Sequence, residues 1–207
     1  MQEIGTQRFE QEMRMFEGFC NKAVASMDEI IETTTDLRLK DELIEKKANF
    51  EKFIEFVTTK TDFISAPCST KYHLCIPHGL LIHSNSVTKT AIKLNNALNA
   101  EIPLYRIIIT CMFHDLGKHD DYEPNTGNNK YYVPYNFSQL SYSEHEDQSA
   151  YLLMKYNLLN EEDFVAIVSH NSPWDGNVKC AFKQNKMMTI LQNADYWSTL
   201  YLEDRPE

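Results

Sequence analysis

The chain has 207 residues, of which 43% are hydrophobic and 24% are charged. This length suits one well-buried domain with an appendage, and the composition excludes collagen-like, low-complexity and largely disordered proteins. The 30 acidic residues outnumber the 20 basic residues, so the net charge is −10. This balance argues against duplex DNA as a partner, because nonspecific nucleic-acid affinity comes from cationic groups that displace counterions.

No stretch of the sequence approaches the roughly 20 consecutive apolar residues that a membrane span needs. Residues 1–10 are polar and lack the apolar core of a secretion signal. The cysteines are odd in number and widely scattered, which suits reduced thiols better than a disulfide framework: Cys20, Cys68, Cys75, Cys111 and Cys180. We therefore expect a cytoplasmic protein that does not contact a membrane.

The first 62 residues are predicted to form a helical hairpin. Apolar residues recur every three or four positions over residues 6–34 and again from Leu43 to Val57, as in amphipathic helices. The segment 33–36, Thr-Thr-Thr-Asp, contains β-branched and capping residues that favour a break between the two. We interpret this hairpin as a scaffold, or as a surface through which a homo-oligomer forms.

Residues 63–207 are predicted to form a second, larger helical unit. After a loop over 65–79, helical spacing predicts helices at 80–97, 104–116, 144–157, 161–170 and 184–203, with Gly117 ending the second of them. Residues 119–142 have no apolar period and are predicted to be a long, functional loop. Strand signals are weak throughout, so the predicted class is all-α.

Side chains that can bind metals recur beside these helices. The intervals between positions 83, 114, 145, 170 and 195 are 31, 31, 25 and 25 residues, about one helix and one connection each. Successive helices of a bundle bring such side chains to one interior point. Mixed imidazole and carboxylate donors suit Fe, Mn, Zn, Co or Ni rather than Ca²⁺. The residues concerned are His83, the pair His114 and Asp115, His145, His170 and Asp195.

The remaining histidines are interpreted differently. A single histidine in an apolar setting is usually a core residue bonded to a backbone carbonyl, and we assign this role to His73, His78 and His119. An alternative is a zinc knuckle formed by Cys68, His73, Cys75 and His78, although this spacing matches none of the usual zinc-finger patterns.

The order of the candidate metal ligands along the chain, His83, then His114 with Asp115, then Asp195, resembles that of the HD-domain superfamily of metal-dependent phosphohydrolases. The stretch 111–118, Cys-Met-Phe-His-Asp-Leu-Gly-Lys, is similar to the most characteristic segment of the family. Residues 79–84 resemble its opening helix, and Ala194 with Asp195 resembles its closing one. The resemblance covers residues 70–203 and implies an HD-type helical bundle with the hairpin added at its N-terminal side.

The resemblance also implies ligands and a reaction. His83, His114, Asp115 and Asp195 would hold one divalent transition-metal ion. Asp115 would bridge to a second ion held by His145 and His170, which fall where the binuclear branch of the superfamily has additional ligands. A hydroxide bridging the ions would attack phosphorus, because cations lower the pKa of bound water. Asp115 and Lys118 would be the catalytic residues, with Lys118 neutralising a phosphate oxygen.

The expected substrate is a nucleotide, a cyclic nucleotide or a short oligonucleotide. Lys118 would bind its phosphate, while Tyr131, Tyr132 and Trp174 could stack a base. Asn128 or Asn129 could read a base edge. Residues 170–176 partly resemble the HD-GYP cyclic-di-GMP phosphodiesterases, but Asn171 and Ser172 stand where a His and a Glu are expected and the Gly-Tyr-Pro is missing.

Two alternatives to a phosphohydrolase remain open at the level of sequence. The same helical superfamily includes diiron oxygenases, which use similar ligands to activate O₂. The chain could also be a non-catalytic, metal-bound interaction module in which the hairpin mediates assembly.

Overall fold

The helical hairpin at the start of the chain forms because a capping aspartate separates two amphipathic helices. The computed structural model describes residues 5–128, 130, 133–138, 144–171 and 185–203. Helix α1 spans Thr6–Thr33 and α2 spans Leu37–Lys60. The Asp36 carboxylate accepts hydrogen bonds from the first amides of α2, which would otherwise have no partner. The predicted break between the helices is confirmed.

Five more helices follow in the described residues. They are α3 (Gly79–Ala97), α4 (Leu104–Met112), α5 (His145–Lys155), α6 (Glu161–Val168) and α7 (Lys186–Trp197). Helix α3 packs against α4 and α7, α6 packs against α7, and α1 packs against α4. The predicted all-α class is confirmed. Among the described residues, no helix combines the length and apolar character that a membrane crossing needs.

One continuous hydrophobic core joins the hairpin to the helices that follow it. Phe113 is fully buried, and the ring of Phe53 from α2 meets it edge to face, with 4.9 Å between ring centroids. Phe16 from α1 and Phe63 also contact the Phe113 ring. The hairpin therefore packs directly on the residue that precedes His114. The division of the chain into units 1–62 and 63–207 stays a prediction, as does an oligomer contact through the hairpin.

Two local predictions were wrong. The helix predicted over 104–116 ends at Met112, because Phe113 and Asp115 leave helical geometry, and a 3₁₀ helix then spans Leu116–Asp120. Gly117 therefore does not end α4. The segment predicted as a loop over 119–142 contains a short antiparallel pair of strands, β1 (Tyr122–Pro124) and β2 (Tyr135–Phe137), in which Tyr122 pairs with Phe137.

The chain stays helical for five residues after α7. A π-helical turn, Ser198–Leu202, continues the helix and packs against α3. The helix predicted over 184–203 is therefore α7 followed by this turn. The turn brings the last described residue, Glu203, beside His83 near the start of α3, where its side chain is buried.

Candidate metal centre

The segment that follows α4 presents two adjacent polar side chains to the interior. His114 is fully buried, and its Nδ1 donates a hydrogen bond to the carbonyl oxygen of Cys111 at 2.8 Å. This bond fixes the ring and leaves Nε2 with a free lone pair. Asp115 is also buried. The aromatic packing of Phe113 anchors both residues, because it immediately precedes them in the chain.

Gly117 allows helix α5 to approach this segment closely. A Cβ atom at Gly117 would lie 2.3 Å from the carbonyl oxygen of His145, closer than atoms can approach. The Gly117 amide instead donates to the hydroxyl of Ser149 at 2.8 Å, and that hydroxyl donates to the His145 carbonyl at 2.7 Å. The absence of a side chain at residue 117 thus places His145, the first residue of α5, beside Asp115.

The Asp115 carboxylate lies between two groups of imidazoles. Its Oδ1 is 3.2 Å from Nε2 of His145 and 3.3 Å from Nε2 of His170. Its Oδ2 is 3.4 Å from Nε2 of His83 and 3.6 Å from Nε2 of His114. Asp195 joins the second group, since its Oδ1 is 3.3 Å from Nε2 of His83. The structure therefore brings together all six residues that sequence analysis selected as ligands.

Several atoms at the centre are buried without a hydrogen-bond partner: His83 Nε2, His114 Nε2 and Asp115 Oδ1. Leaving a buried polar atom unsatisfied is unfavourable, so a cluster of such atoms fits metal ions that would pair with them. Among the described residues, the donor atoms of four overlapping trios each lie within 4.8 Å of one another. Three trios consist of predicted ligands: His83, His114 and Asp115; His114, His170 and Asp195; and Asp115, His145 and His170. The fourth trio is Cys68, His73 and His83.

The electrostatics suit a cation. Burial would raise the pKa of Asp115, but the Lys118 ammonium and the neighbouring imidazoles hold that pKa well below its ordinary value. Burial lowers the pKa of His114 to about 4, so its imidazole is neutral at pH 7 and can donate its Nε2 lone pair. An ionised carboxylate and a neutral imidazole are the forms in which these groups bind metals.

Lys118 lies inside the centre rather than in solvent. Its Nζ donates to Oδ2 of Asp115 at 2.6 Å, and its side chain is 14% exposed. A cavity of about 270 Å³ opens onto Asp115, Asp195 and Lys118, with Tyr196 in its wall. A larger cavity, about 930 Å³, lies between the end of α3 and helices α6 and α7 and includes none of the predicted site residues. Size alone does not mark the site.

The predicted base-binding residues Tyr131, Tyr132 and Trp174 lie outside the described residues, as does Asn129. Asn128 is exposed. Of the histidines assigned to the core, His78 donates from Nδ1 to the carbonyl oxygen of Ile64 at 2.7 Å, as that interpretation predicts. His73 does not fit it, because its Nδ1 contacts the Glu203 carboxylate.

The four residues of the zinc-knuckle alternative do not all converge in the structure, although the donor atoms of Cys68 and His73 lie within 4.8 Å of each other and of His83. Cys68 Sγ lies 3.8 Å from Nε2 of His73. Cys75 Sγ instead contacts the hydroxyl of Ser69 at 3.2 Å, and the Ile64 carbonyl engages His78.

Three side chains that contact the candidate ligands were not predicted from the sequence. Asn171 donates to Nε2 of His145 at 3.0 Å and to Oε1 of Glu146 at 2.9 Å. Glu203 Oε1 accepts a hydrogen bond from Nδ1 of His83 at 2.9 Å. No periodicity or motif marks Glu146 or Glu203, and the sequence marks Asn171 only as a departure from the HD-GYP pattern. The one available signal was that Asn171 and Glu146 are each the sequence neighbour of a predicted ligand.

Comparison with known families agrees with this geometry. The family model described as HD domain matches residues 80–200, more than half of the chain. The chain therefore belongs to the HD superfamily of metal-dependent phosphohydrolases. No curated protein and no solved structure matches it significantly. The matched residues include all six candidate ligands and Lys118, but not the hairpin, His73 or Glu203.

Proposed function

We propose that this protein is a phosphohydrolase that uses two divalent transition-metal ions to cleave a phosphoester of a nucleotide, a cyclic nucleotide or a short oligonucleotide. The observation that carries the proposal is the position of Asp115. Each of its carboxylate oxygens faces two imidazole Nε2 atoms, at 3.2 and 3.3 Å on one side and 3.4 and 3.6 Å on the other. A carboxylate placed in this way can serve two ions at once.

The residues fit two ions of Fe, Mn, Zn, Co or Ni. One ion would be held by His83, His114, Asp195 and Asp115. The other would be held by His145, His170 and Asp115. Such ions lower the pKa of water towards neutrality and stabilise negative charge on phosphoryl oxygens. At His145, Asn171 would have to release Nε2, to which it donates in the structure.

Lys118 supplies a positive charge from the chain itself. In the structure its ammonium pairs with Oδ2 of Asp115 and lines the cavity. Once cations share the charge of Asp115, the ammonium can turn to a phosphoryl oxygen and stabilise the charge that builds there in the transition state. Because Lys118 is held in a buried setting, this interaction is stronger than it would be in water.

A small substrate is favoured over a long polynucleotide. The cavity at Asp115 has a volume of about 270 Å³ among the described residues, and the chain has a net charge of −10. Without an excess of basic residues, a long polyanion would be poorly held. Tyr131, Tyr132 and Trp174 remain the proposed residues for stacking a base.

The test is hydrolysis of phosphoesters by protein loaded separately with Mn²⁺, Fe²⁺, Co²⁺, Ni²⁺ or Zn²⁺. The panel contains bis-p-nitrophenyl phosphate, nucleoside monophosphates, cyclic nucleotides and short oligonucleotides. We expect hydrolysis that chelation abolishes and that Asp115→Ala reduces by several orders of magnitude, because the bridging ligand would be lost. Far-UV circular dichroism should show that the variant stays helical.

Absence of hydrolysis with every metal would overturn the proposal. Oxygen uptake by the Fe²⁺-loaded protein in place of phosphoester hydrolysis would point to the oxygenase interpretation. Metal binding with neither reaction would point to a non-catalytic module.

A further inference from the structure

A buried carboxylate from the end of the described chain touches a candidate metal ligand on the side away from the metal centre. Glu203 follows the π-helical turn Ser198–Leu202, and its side chain is 1% exposed. Its Oε1 accepts a hydrogen bond from Nδ1 of His83 at 2.9 Å, and its Oε2 contacts Nδ1 of His73. The Glu203 carboxylate therefore contacts the imidazoles of both His83 and His73.

This contact determines which nitrogen of His83 faces the centre. When the ring is neutral and Nδ1 donates its hydrogen to Glu203, the lone pair is on Nε2. Nε2 lies 3.4 Å from Asp115 Oδ2 and 3.3 Å from Asp195 Oδ1. The rings of His114 and His170 are also oriented through Nδ1. Each Nδ1 donates to the backbone carbonyl oxygen three residues earlier, that of Cys111 at 2.8 Å and that of Ile167 at 2.7 Å.

His83 does not use a local carbonyl in that way. It lies inside α3, where the backbone carbonyls accept the helical hydrogen bonds, whereas His114 and His170 follow the ends of α4 and α6. A side chain from another element contacts its Nδ1 instead. Among the described residues, the contact at Nδ1 of His83 is made by Glu203.

His73 contacts the second oxygen of the Glu203 carboxylate, Oε2. Its loop is fixed by Ser69, whose hydroxyl donates to the His73 carbonyl at 2.7 Å and accepts from the His73 amide at 3.1 Å. The His73 ring packs edge to face on the His83 ring, with 5.1 Å between centroids. His73 therefore limits the movement of both Glu203 and His83.

We propose that Glu203 is a positioning residue for His83, which it holds in the orientation that presents Nε2 to the metal centre, and that His73 keeps Glu203 in place. The inference rests on metal binding in the proposed function. Both residues lie outside the matched HD-domain region 80–200, so the orientation of this ligand depends on parts of the chain that the family pattern does not include.

The test measures Mn²⁺ binding to the full chain by titration calorimetry, for wild type, Glu203→Gln, Glu203→Ala and His73→Ala. Removal of a residue that orients a metal ligand lowers metal affinity by about 10- to 100-fold. We expect Glu203→Ala to fall in that range. Glu203→Gln should lose less, since one amide oxygen can still accept from His83. Glu51→Gln on the exposed face of α2 is the control and should bind as wild type.

Thermal unfolding of the chelated proteins separates positioning from a general structural role. The proposal predicts that Glu203→Gln loses Mn²⁺ affinity while its metal-free melting temperature stays near that of wild type. Unchanged affinity in a folded Glu203→Ala or Glu203→Gln protein would overturn it.

Two further outcomes also bear on the proposal. Loss of one Mn²⁺ per chain in His73→Ala, with the other ions bound at wild-type affinity, would contradict it, because His73 would then be a ligand itself. A wild-type protein that binds no Mn²⁺ would overturn the proposed function and this inference together, which distinguishes that failure from a failure at Glu203 alone.

Discussion

Lys118 is the residue whose role depends most on what occupies the centre. Its ammonium lies 2.6 Å from Asp115 Oδ2, and burial, which would lower its pKa, is outweighed by the Asp115 charge that raises it well above its ordinary value. Lys118 is therefore a fixed positive charge in the wall of the cavity. This is the property that stabilisation of a phosphoryl transition state requires.

Lys118→Ala should lower kcat for a phosphodiester by about 10²-fold while both metal ions remain bound. The metal content should survive because cations would still balance the charge of Asp115. Steady-state kinetics and elemental analysis of the same preparation check this prediction. Lys155→Ala, an exposed lysine in the last turn of α5, is the control. Loss of the metals in Lys118→Ala would show instead that the lysine holds Asp115 in place.

The candidate ligands could be predicted from the sequence because each belongs to one of the few residue types that bind metals and lies at or inside a predicted helix. His83, His145 and Asp195 follow this rule. Their role as ligands stays a prediction. Glu203 could not be predicted, because its contact with His83 joins residues 120 positions apart and no periodicity marks either of them for the other.

At the scale of elements, the approach of α5 to the Asp115 segment depends on one glycine. Gly117→Ala would place a Cβ 2.3 Å from the His145 carbonyl oxygen and 2.9 Å from Gln148 Cβ. We expect the free energy of unfolding to fall by about 1–3 kcal/mol, as for other overpacked sites, and affinity for the ion near His145 to fall with it. Chemical denaturation and metal titration measure the two effects.

Gly18→Ala is the matched control for this change. Gly18 lies inside α1, and a Cβ there would have no atom within 4 Å. It should raise the free energy of unfolding by about 0.5–1 kcal/mol, because alanine favours helix over glycine. A Gly117→Ala protein as stable as Gly18→Ala would show that α5 can move without harm to the fold.

The end of α4 shows what sequence reasoning misses at this scale. Apolar spacing continues through Leu116 and predicted a longer helix. The structure ends α4 at Met112, and the His114 ring then bonds to the Cys111 carbonyl that a further helical turn would have used. A side chain thus competes with the helix for one acceptor, and periodicity does not reveal that competition.

At the scale of the whole molecule, the hairpin and the metal centre share one core. Phe53 from α2 is fully buried and packs its ring against Phe113, which precedes His114. The hairpin lies outside the matched region of the family. Its packing nevertheless supports the segment that carries two candidate ligands.

Phe53→Ala should reduce the free energy of unfolding by about 3–5 kcal/mol, since it leaves a cavity beside Phe113. We also expect weaker Mn²⁺ binding, because the segment of His114 and Asp115 would lose part of its support. Ile44→Ala on the same helix is the control: Ile44 is 50% exposed, and its loss should change stability by less than about 1 kcal/mol. Urea denaturation with and without Mn²⁺ measures both effects. Equal losses in the two variants would contradict a shared core.

The proposed function requires Asp115 to bind two metal ions. The most direct measurement is X-ray diffraction from crystals of metal-loaded protein, with anomalous data recorded on both sides of the absorption edge of the metal. We predict two anomalous peaks, one near Asp115 Oδ1 with His145 and His170 and one near Asp115 Oδ2 with His83, His114 and Asp195. Ligand distances should be about 2.0–2.2 Å. A single peak, with His145 and His170 turned away from it, would contradict the account.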